Sequence, residues 1–355
     1  MPVWSEAHDE FTKGRPLLDQ CRTGYEEAKT RVTHTDEIVT QDRPDLFDPA
    51  AAAPLLRAGI VDAVQRLGRR GVVVAVSGGV DSGVVAGLCT GALGPRHVML
   101  LRLPEHDLSE GSSDLGLELA EVLGAPTVEE PISPALEALG CYRQQNEAIR
   151  LVFPEYESGW PYKLVRSEPT GGVIVFSLVV ERPSGEQERR RVPSGAYRAL
   201  LSATNMKQRV RKLIEYTWAD KLHYAVAGTP NLLEYDQGFF VKSGDGLADI
   251  KPIASLYKQQ VFALARHLGL PEGISGRAPT TETFSLPQSQ EEFYFGYPYE
   301  QMDMLVWGEQ NGIAADEVAQ LTGLDPEGVA MAYREIAHRR GATAYLHAPA
   351  VMIGD

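Results

Sequence analysis

Apolar residues along this chain alternate between two rhythms. Leu56, Ile60, Val64 and Leu67 are spaced by four, four and three, so they share one face of a helix. Gly71 ends that pattern. Val72–Val76 follows as a continuous apolar run, as expected of a strand covered on both faces of a parallel sheet. The cycle repeats with a helix from Ser82, a strand near Val98–Leu103, a helix over Leu115–Leu123 and a strand near Thr127–Glu130. After a break it resumes with a helix from about Asn205 to Ala219, a strand at Tyr224–Ala227 and a helix over Leu256–Leu268. Strands alternating with helices predict an α/β fold on a doubly wound parallel sheet. From Tyr299 to Arg340 the pattern is helical, punctuated at Gly312 and at Leu324-Asp325-Pro326, which predicts a helical C-terminal segment.

The break has its own pattern. VIVFSLVVE (173–181), Pro183-Ser184-Gly185 and EQERRRV (186–192) read as a β-hairpin inserted within residues 140–203. The insertion carries Trp160, Tyr162 and the basic run Arg189–Arg191. It is either a lid that reshapes a pocket or an amphipathic surface hairpin with a solvated charged edge. Residues 1–48 are polar and aperiodic and form an N-terminal extension, 49–345 form the main domain, and 346–355 form a tail.

Composition narrows the class. The chain has 355 residues, 43% hydrophobic and 23% charged, with a formal net charge of −14. That charge disfavours nucleic acid as a partner. No apolar run approaches the roughly 18 residues of a membrane span, and the N-terminus lacks an apolar signal core. Cys21, Cys89 and Cys141 are scattered and odd in number, which fits a reducing, cytoplasmic setting better than a disulfide framework.

The candidate chemistry starts at VVVAVSGGVDSG (72–83). A strand that delivers a glycine-rich turn to a helix start aims free backbone N–H groups at one point, where the helix dipole also favours an anion. Gly78 and Gly79 let the backbone close around phosphate oxygens, and Ser77 and Ser82 add hydroxyls. Asp81 would repel a phosphate unless it holds a hard cation such as Mg²⁺ that bridges to it.

SGGVDS resembles the pyrophosphate loop of the ATP pyrophosphatases, and GTPNLLEYDQGFFVKSGDGLADIKPIASLYKQQ (228–260) resembles the NAD synthase branch of that family. The resemblance implies an adenine nucleotide alpha hydrolase-like fold. It makes Glu234 a second magnesium ligand beside Asp81, and Lys258 a contact to the ATP phosphates. Thr229 and Arg102, in Arg102-Leu103-Pro104, become nucleotide contacts. NMKQRVR (205–211) is similar to a family motif that seats the substrate, which marks Asn205, Arg209 and Arg211. Two residues apart on a helix, Arg209 and Arg211 cannot both point squarely into one site. APTTET (278–283), QSQEEFYFGYPYEQMD (288–303) and His338-Arg339-Arg340 match further segments. Lys242 and Asp249 either face the substrate or pair with each other. Asp245 either orients ammonia or closes an Asp-Gly turn, and Arg339 and Arg340 either close over phosphates or only favour a helix end. Pro230-Asn231 and Thr281-Glu282-Thr283 depart from the commoner residues of their motifs.

The activity implied is adenylation of a carboxylate by ATP, then attack by ammonia, with AMP and pyrophosphate released. A carboxylate oxygen leaves only once activated, so the site's work is positioning and charge stabilisation. Deamido-NAD is the expected substrate. A different carboxylate, or a nucleotide-binding regulator without turnover, are the alternatives. Ammonia is free or supplied by a partner, since the sequence shows no glutaminase domain, and the resemblance implies a homodimer. Asp81→Asn is expected to abolish adenylation and spare the fold.

Overall fold

Four parallel strands form the centre: β1 (Val72–Ala75), β2 (Val98–Arg102), β3 (Thr127–Glu129) and β7 (Ala225–Ala227), in the spatial order β3-β2-β1-β7. This computed structural model describes residues 43–106, 112–166, 175–276 and 284–353. Val72 pairs with Val98 on one side and with Ala225 on the other. Val72, Val73 and Val74 are fully buried, so the unbroken apolar run reflects cover on both faces. The helices Pro49–Arg66, Val80–Leu93 and Lys258–His267 pack together on one face. Against the other, Val73, Leu101 and Val226 share a core with Val210 and Ala219 of the Ser194–Leu222 helix. The sheet is doubly wound, as expected.

The strand order also positions the site. From β1 the chain builds outward through β2 and β3, then returns to β7 on the opposite side of β1. The carboxyl end of β1 is therefore the topological switch point, where open α/β sheets leave a crevice for ligands. Ser77-Gly78-Gly79 starts two residues past the end of β1.

Residues 140–203 hold more structure than a hairpin. The predicted strands are there as β5 (Phe176–Glu181) and β6 (Gln187–Arg191), turned at Gly185 with φ +82°. Residues 173–174 of the expected first strand lie outside the described residues. A further strand, β4 (Tyr162–Arg166), pairs antiparallel with β5, giving the order β4-β5-β6. The short helix Cys141–Arg150, which buries Cys141, Gln145, Ala148 and Ile149, also lies in this segment, and the helix Ser133–Ala138 precedes it. On β6, Arg190 lies 4.3 Å over the Phe153 ring and pairs with Glu155 and Glu188. Its charge is spent within the insertion.

The expected Asn205–Ala219 helix is longer, with 29 residues from Ser194 to Leu222. Its apolar partners change along its length, which hides its start. Ala196 and Leu200 join the core of the small antiparallel sheet, whereas Val210 and Ala219 join that of the large sheet. Three C-terminal helices, Tyr299–Gln310, Ala315–Thr322 and Pro326–His347, are broken at the expected places. Gly312 turns with φ +65°, and Asp325 caps the last helix by accepting the Gly328 N–H at 2.7 Å.

An ion pair locks the long helix to the segment after β2. Lys207 Nζ lies 3.1 Å from Glu105 Oε1, with both side chains almost wholly buried, and the Tyr142 hydroxyl donates to Glu105 Oε2 at 3.1 Å. Removing one partner strands a buried charge. Lys207→Met should therefore destabilise the protein by about 3–5 kcal/mol, read as a lowered midpoint in urea unfolding; an unchanged midpoint would deny the pair its role.

Candidate active site

The turn after β1 is built as its residues require. Gly78 adopts φ +83°, a left-handed conformation that a side chain disfavours. Gly79 caps the Val80–Leu93 helix, and its N–H donates to Ser77 Oγ at 3.3 Å. Ser82 Oγ donates to the Gly79 carbonyl at 3.0 Å and accepts the Ser77 N–H at 3.3 Å. The serines thus brace the turn, while the first N–H groups of the helix have no acceptor within it.

Asp81 sits in that first helical turn, and each of its oxygens is held. Oδ1 accepts from Asn231 Nδ2 at 2.9 Å, and Oδ2 is paired with Lys258 Nζ. Lys258 is fully buried at the first position of its helix. Asp303 caps that helix from outside, accepting the Lys258 N–H at 3.1 Å and the Gln259 N–H at 2.8 Å. Burial pushes the Asp303 carboxyl up to about 7.

Glu234 is the second carboxylate of the cluster. Asn231 is fully buried and caps the Leu232–Gln237 helix, accepting the Glu234 N–H at 3.2 Å, while Glu234 Oε2 accepts the Asn231 N–H at 3.1 Å. This reciprocal capping box fixes Glu234 beside Asp81. Gln290 Nε2 donates to Glu234 Oε1 at 3.0 Å, and the Tyr299 hydroxyl donates to Gln290 Oε1 at 2.5 Å. Burial, reinforced by the Asp81 charge and opposed by Lys258, raises the Glu234 carboxyl well above the usual carboxylate range. Asp81 and Glu234 thus bring two carboxylates to one cavity, bridged by Asn231.

A cavity of about 510 Å³ opens at this cluster. Of the predicted residues, Ser77, Gly79, Asp81, Ser82, Arg102, Asn205, Arg211, Thr229, Glu234 and Asp245 line it. Arg102 Nη1 also pairs with Glu129 at 2.7 Å. Asp245 Oδ1 accepts the Val241 N–H at 2.7 Å, and burial raises its carboxyl. Lys258 is not on the wall; it stands behind Asp81. The helical spacing separates the two arginines as expected: Arg211 faces the cavity, and Arg209 donates to the Lys242 carbonyl at 3.4 Å.

Besides Arg209, four predicted substrate-binding residues are placed elsewhere. Lys242 Nζ donates to the carbonyls of Tyr345 at 2.8 Å and Ala348 at 2.7 Å. Asp249 accepts the Val226 N–H at 2.7 Å and the Tyr216 hydroxyl at 3.2 Å, so Lys242 and Asp249 do not pair with each other. His338 is exposed, and Arg339 is buried against Glu335 and the Phe295 carbonyl. From their helix Thr343 and Leu346 line the cavity instead. The 278–283 segment lies outside the described residues.

The sequence model of the NAD synthase family matches residues 55–152 and 187–345. This chain belongs to the NAD synthase family. It is 49% identical over 303 residues to the NH(3)-dependent NAD(+) synthetase of Rhizobium meliloti (strain 1021), covering 85% of this chain and 91% of that one. It is 52% identical over 297 residues to that of Mesorhizobium japonicum, covering 81% and 93%. Among solved structures, the NMN synthetase from Francisella tularensis aligns with a TM-score of 0.61 at 23% identity, over 87% of this chain and all (100%) of that one. The NH3-dependent NAD synthetase from Campylobacter jejuni aligns with a TM-score of 0.57 at 22% identity, over 86% and 100%. These likenesses show the fold, which is the expected adenine nucleotide alpha hydrolase-like one.

Sequence reasoning passed over several groups that complete the site in this NAD synthase family member. Asn231 stood out only as a departure from its motif, yet an asparagine three residues before a glutamate is a capping signal. Gln290 and Tyr299 lay inside a matched segment without a role. Lys212 and Glu215, paired at 2.6 Å and buried, line the cavity beside Asp245. Their i, i+3 spacing was visible, but their burial was not.

Asn231→Ala removes a helix cap and a hydrogen bond to a carboxylate. A loss of about 2–4 kcal/mol in stability is expected, measured by denaturant unfolding; a loss below about 0.5 kcal/mol would show that the bridge carries little.

Proposed function

We propose that this protein is an ATP-dependent amide ligase that adenylates deamido-NAD and amidates it with ammonia, releasing AMP, pyrophosphate and NAD. The observation that carries this reading is the pair Asp81 and Glu234, bridged by the buried Asn231 and set on the cavity wall at the end of a phosphate-type loop. The turn and helix start at Ser77–Ser82 receive the triphosphate, with Arg102 and Thr229 beside it. Asn205 and Arg211 seat the anionic substrate. Asp245 accepts a proton from the incoming nitrogen or orients it, and Lys258 acts by holding Asp81.

Mg²⁺ fits the residues present. It is usually held by one or two carboxylates and completed by substrate phosphates, and Asp81 and Glu234 supply two carboxylates. When bound, it would neutralise charge building on the departing pyrophosphate. Arg209, Lys242, Asp249, His338 and Arg339, which do not line the cavity, would serve the substrate only after rearrangement. The reading also takes in a homodimer, and a cytoplasmic location in which Cys89 and Cys141 stay reduced; both are buried, and Cys141 Sγ donates to the Ala203 carbonyl at 3.2 Å. Among the described residues no helix is long and apolar enough to cross a membrane.

The deciding experiment is turnover with ATP, Mg²⁺, ammonium and deamido-NAD, following AMP and NAD together. Equal formation of both is expected; ATP binding without NAD formation would move the activity to another carboxylate.

Two outcomes follow from the site's electrostatics. Asp81→Asn should abolish AMP formation, and it leaves Lys258 buried without its ion pair, so stability falls too, by about 3–5 kcal/mol. AMP formed at the wild-type rate would remove Asp81 from the reaction. Because the carboxyl of Glu234 is raised, cation binding must displace its proton. Mg²⁺ uptake should therefore release protons and tighten from about pH 6 to about pH 8, as calorimetry in buffers of different ionisation enthalpy would record. Uptake without proton release would argue against Glu234 as a ligand.

A further inference from the structure

The NAD synthase family match omits residues 153–186, yet this segment reaches the cavity. Phe176, the first residue of β5, lies on the cavity wall. Its ring stacks on Tyr197 at 4.9 Å with 22° between planes, and approaches Phe293 at 6.2 Å. Phe293 packs edge-on to Phe284 at 5.4 Å. These four aromatic residues all line the cavity, and they come from the inserted sheet, the start of the long helix and the region around residues 284–295.

The inserted sheet also holds that region in place. The Tyr162 N–H donates to Ser285 Oγ at 3.0 Å, and the Leu286 N–H donates to the Tyr162 carbonyl at 3.1 Å. Arg166 donates to the carbonyls of Tyr294 at 2.8 Å and Phe295 at 3.1 Å, and pairs with Glu335. Its targets lie in the π-helical turn Glu291–Phe295, an uncommon geometry that recurs at functional sites. Gln290, just ahead of that turn, reaches Glu234, and Phe293 within it packs against Phe176. One gripped turn thus joins the carboxylate cluster to the aromatic wall.

We propose that Phe176, with Tyr197 and Phe293, forms a stacking platform on which the inserted sheet binds a planar heteroaromatic ring of the carboxylate substrate. This rests on the amidation reading above. The sheet side of the cavity is taken by the phosphate turn and by Arg102–Pro104, where the nucleotide is expected. The aromatic wall comes from elements outside that sheet and falls to the second substrate. Aromatic faces attract planar rings of any sequence or substitution, because stacking depends on the π-face.

The test is calorimetric binding of deamido-NAD and, separately, of ATP with Mg²⁺, to the wild-type chain, Phe176→Ala and Phe176→Tyr. Phe176→Ala should weaken deamido-NAD binding about tenfold, as for one lost ring stack. ATP affinity should stay within about twofold, and Phe176→Tyr should restore deamido-NAD binding. Unchanged deamido-NAD affinity in Phe176→Ala overturns the platform and leaves the amidation reading standing. A parallel loss of both ligands, or a loss for ATP alone, overturns it too, since Phe176 would then support the fold or the nucleotide. A wild-type chain that binds ATP but not deamido-NAD overturns the amidation reading, and this inference with it.

Discussion

The ammonium of Lys258 is buried completely, and placing a charge there is tolerable only because a carboxylate meets it. That carboxylate belongs to Asp81, in the first turn of the helix that follows the phosphate turn. The pair therefore ties two helix N-termini together at the carboxyl end of β1. Asn231 takes the other Asp81 oxygen and sets Glu234 through its capping box, so a third helix start converges on the same point. Asp303 and Asn231 cap two of these helix starts, which leaves the first N–H groups of the Val80–Leu93 helix, at its positive dipole end, for an anion. Asp81 and Glu234 bring two carboxylates to the cavity beside that ammonium. Everything else about the cavity is arranged around this knot of opposite charges.

The second organising feature is the Ser194–Leu222 helix, which has two cores. Its first turns belong to the small antiparallel sheet, and its later turns cover the parallel sheet. Where the helix passes between them it presents Tyr197, Thr204, Asn205 and Arg211 to the cavity. A rigid element shared by two layers fixes the distance between aromatic and charged groups better than a loop would. The inserted sheet is thus part of the architecture of the site and not an appendage on it.

The central sheet was legible because β1, most of β2 and β7 are apolar runs between helical periods, a signal that survives without any tertiary information. The phosphate turn was legible for a related reason: its chemistry resides in consecutive residues, Ser77 to Ser82. Strand β4 and the start of the long helix were not, because their apolar residues answer to a core assembled from distant segments. Lys242, Asp249 and Arg339 show the same limit from the other side. Their motif context offered Lys242 and Asp249 the substrate or each other, and Arg339 the phosphates, but backbone carbonyls, the Val226 N–H and Glu335 take them in this structure. Charge type and spacing determine what a side chain can bind, whereas the competition among nearby partners determines what it does bind.

That distinction also explains why the two ends of the cavity differ in how they can be read. A phosphate end demands glycine, backbone N–H groups and fixed carboxylates within a few residues, so its sequence is compact. A ring-binding end needs only flat apolar faces at the right height, and any aromatic residue brought there by the fold suffices. Phe176, Tyr197, Phe284 and Phe293 are spread over more than a hundred positions, and nothing local distinguishes them from core aromatics. What distinguishes them is the π-helical turn gripped by Arg166, since it connects Phe293 to Gln290 and so to Glu234. Because that link is covalent over three residues, the wall cannot shift without moving the hydrogen bond that steadies a carboxylate. The position of the aromatic wall and that of the Glu234 carboxylate are therefore linked in this fold, although they are written in different parts of the sequence.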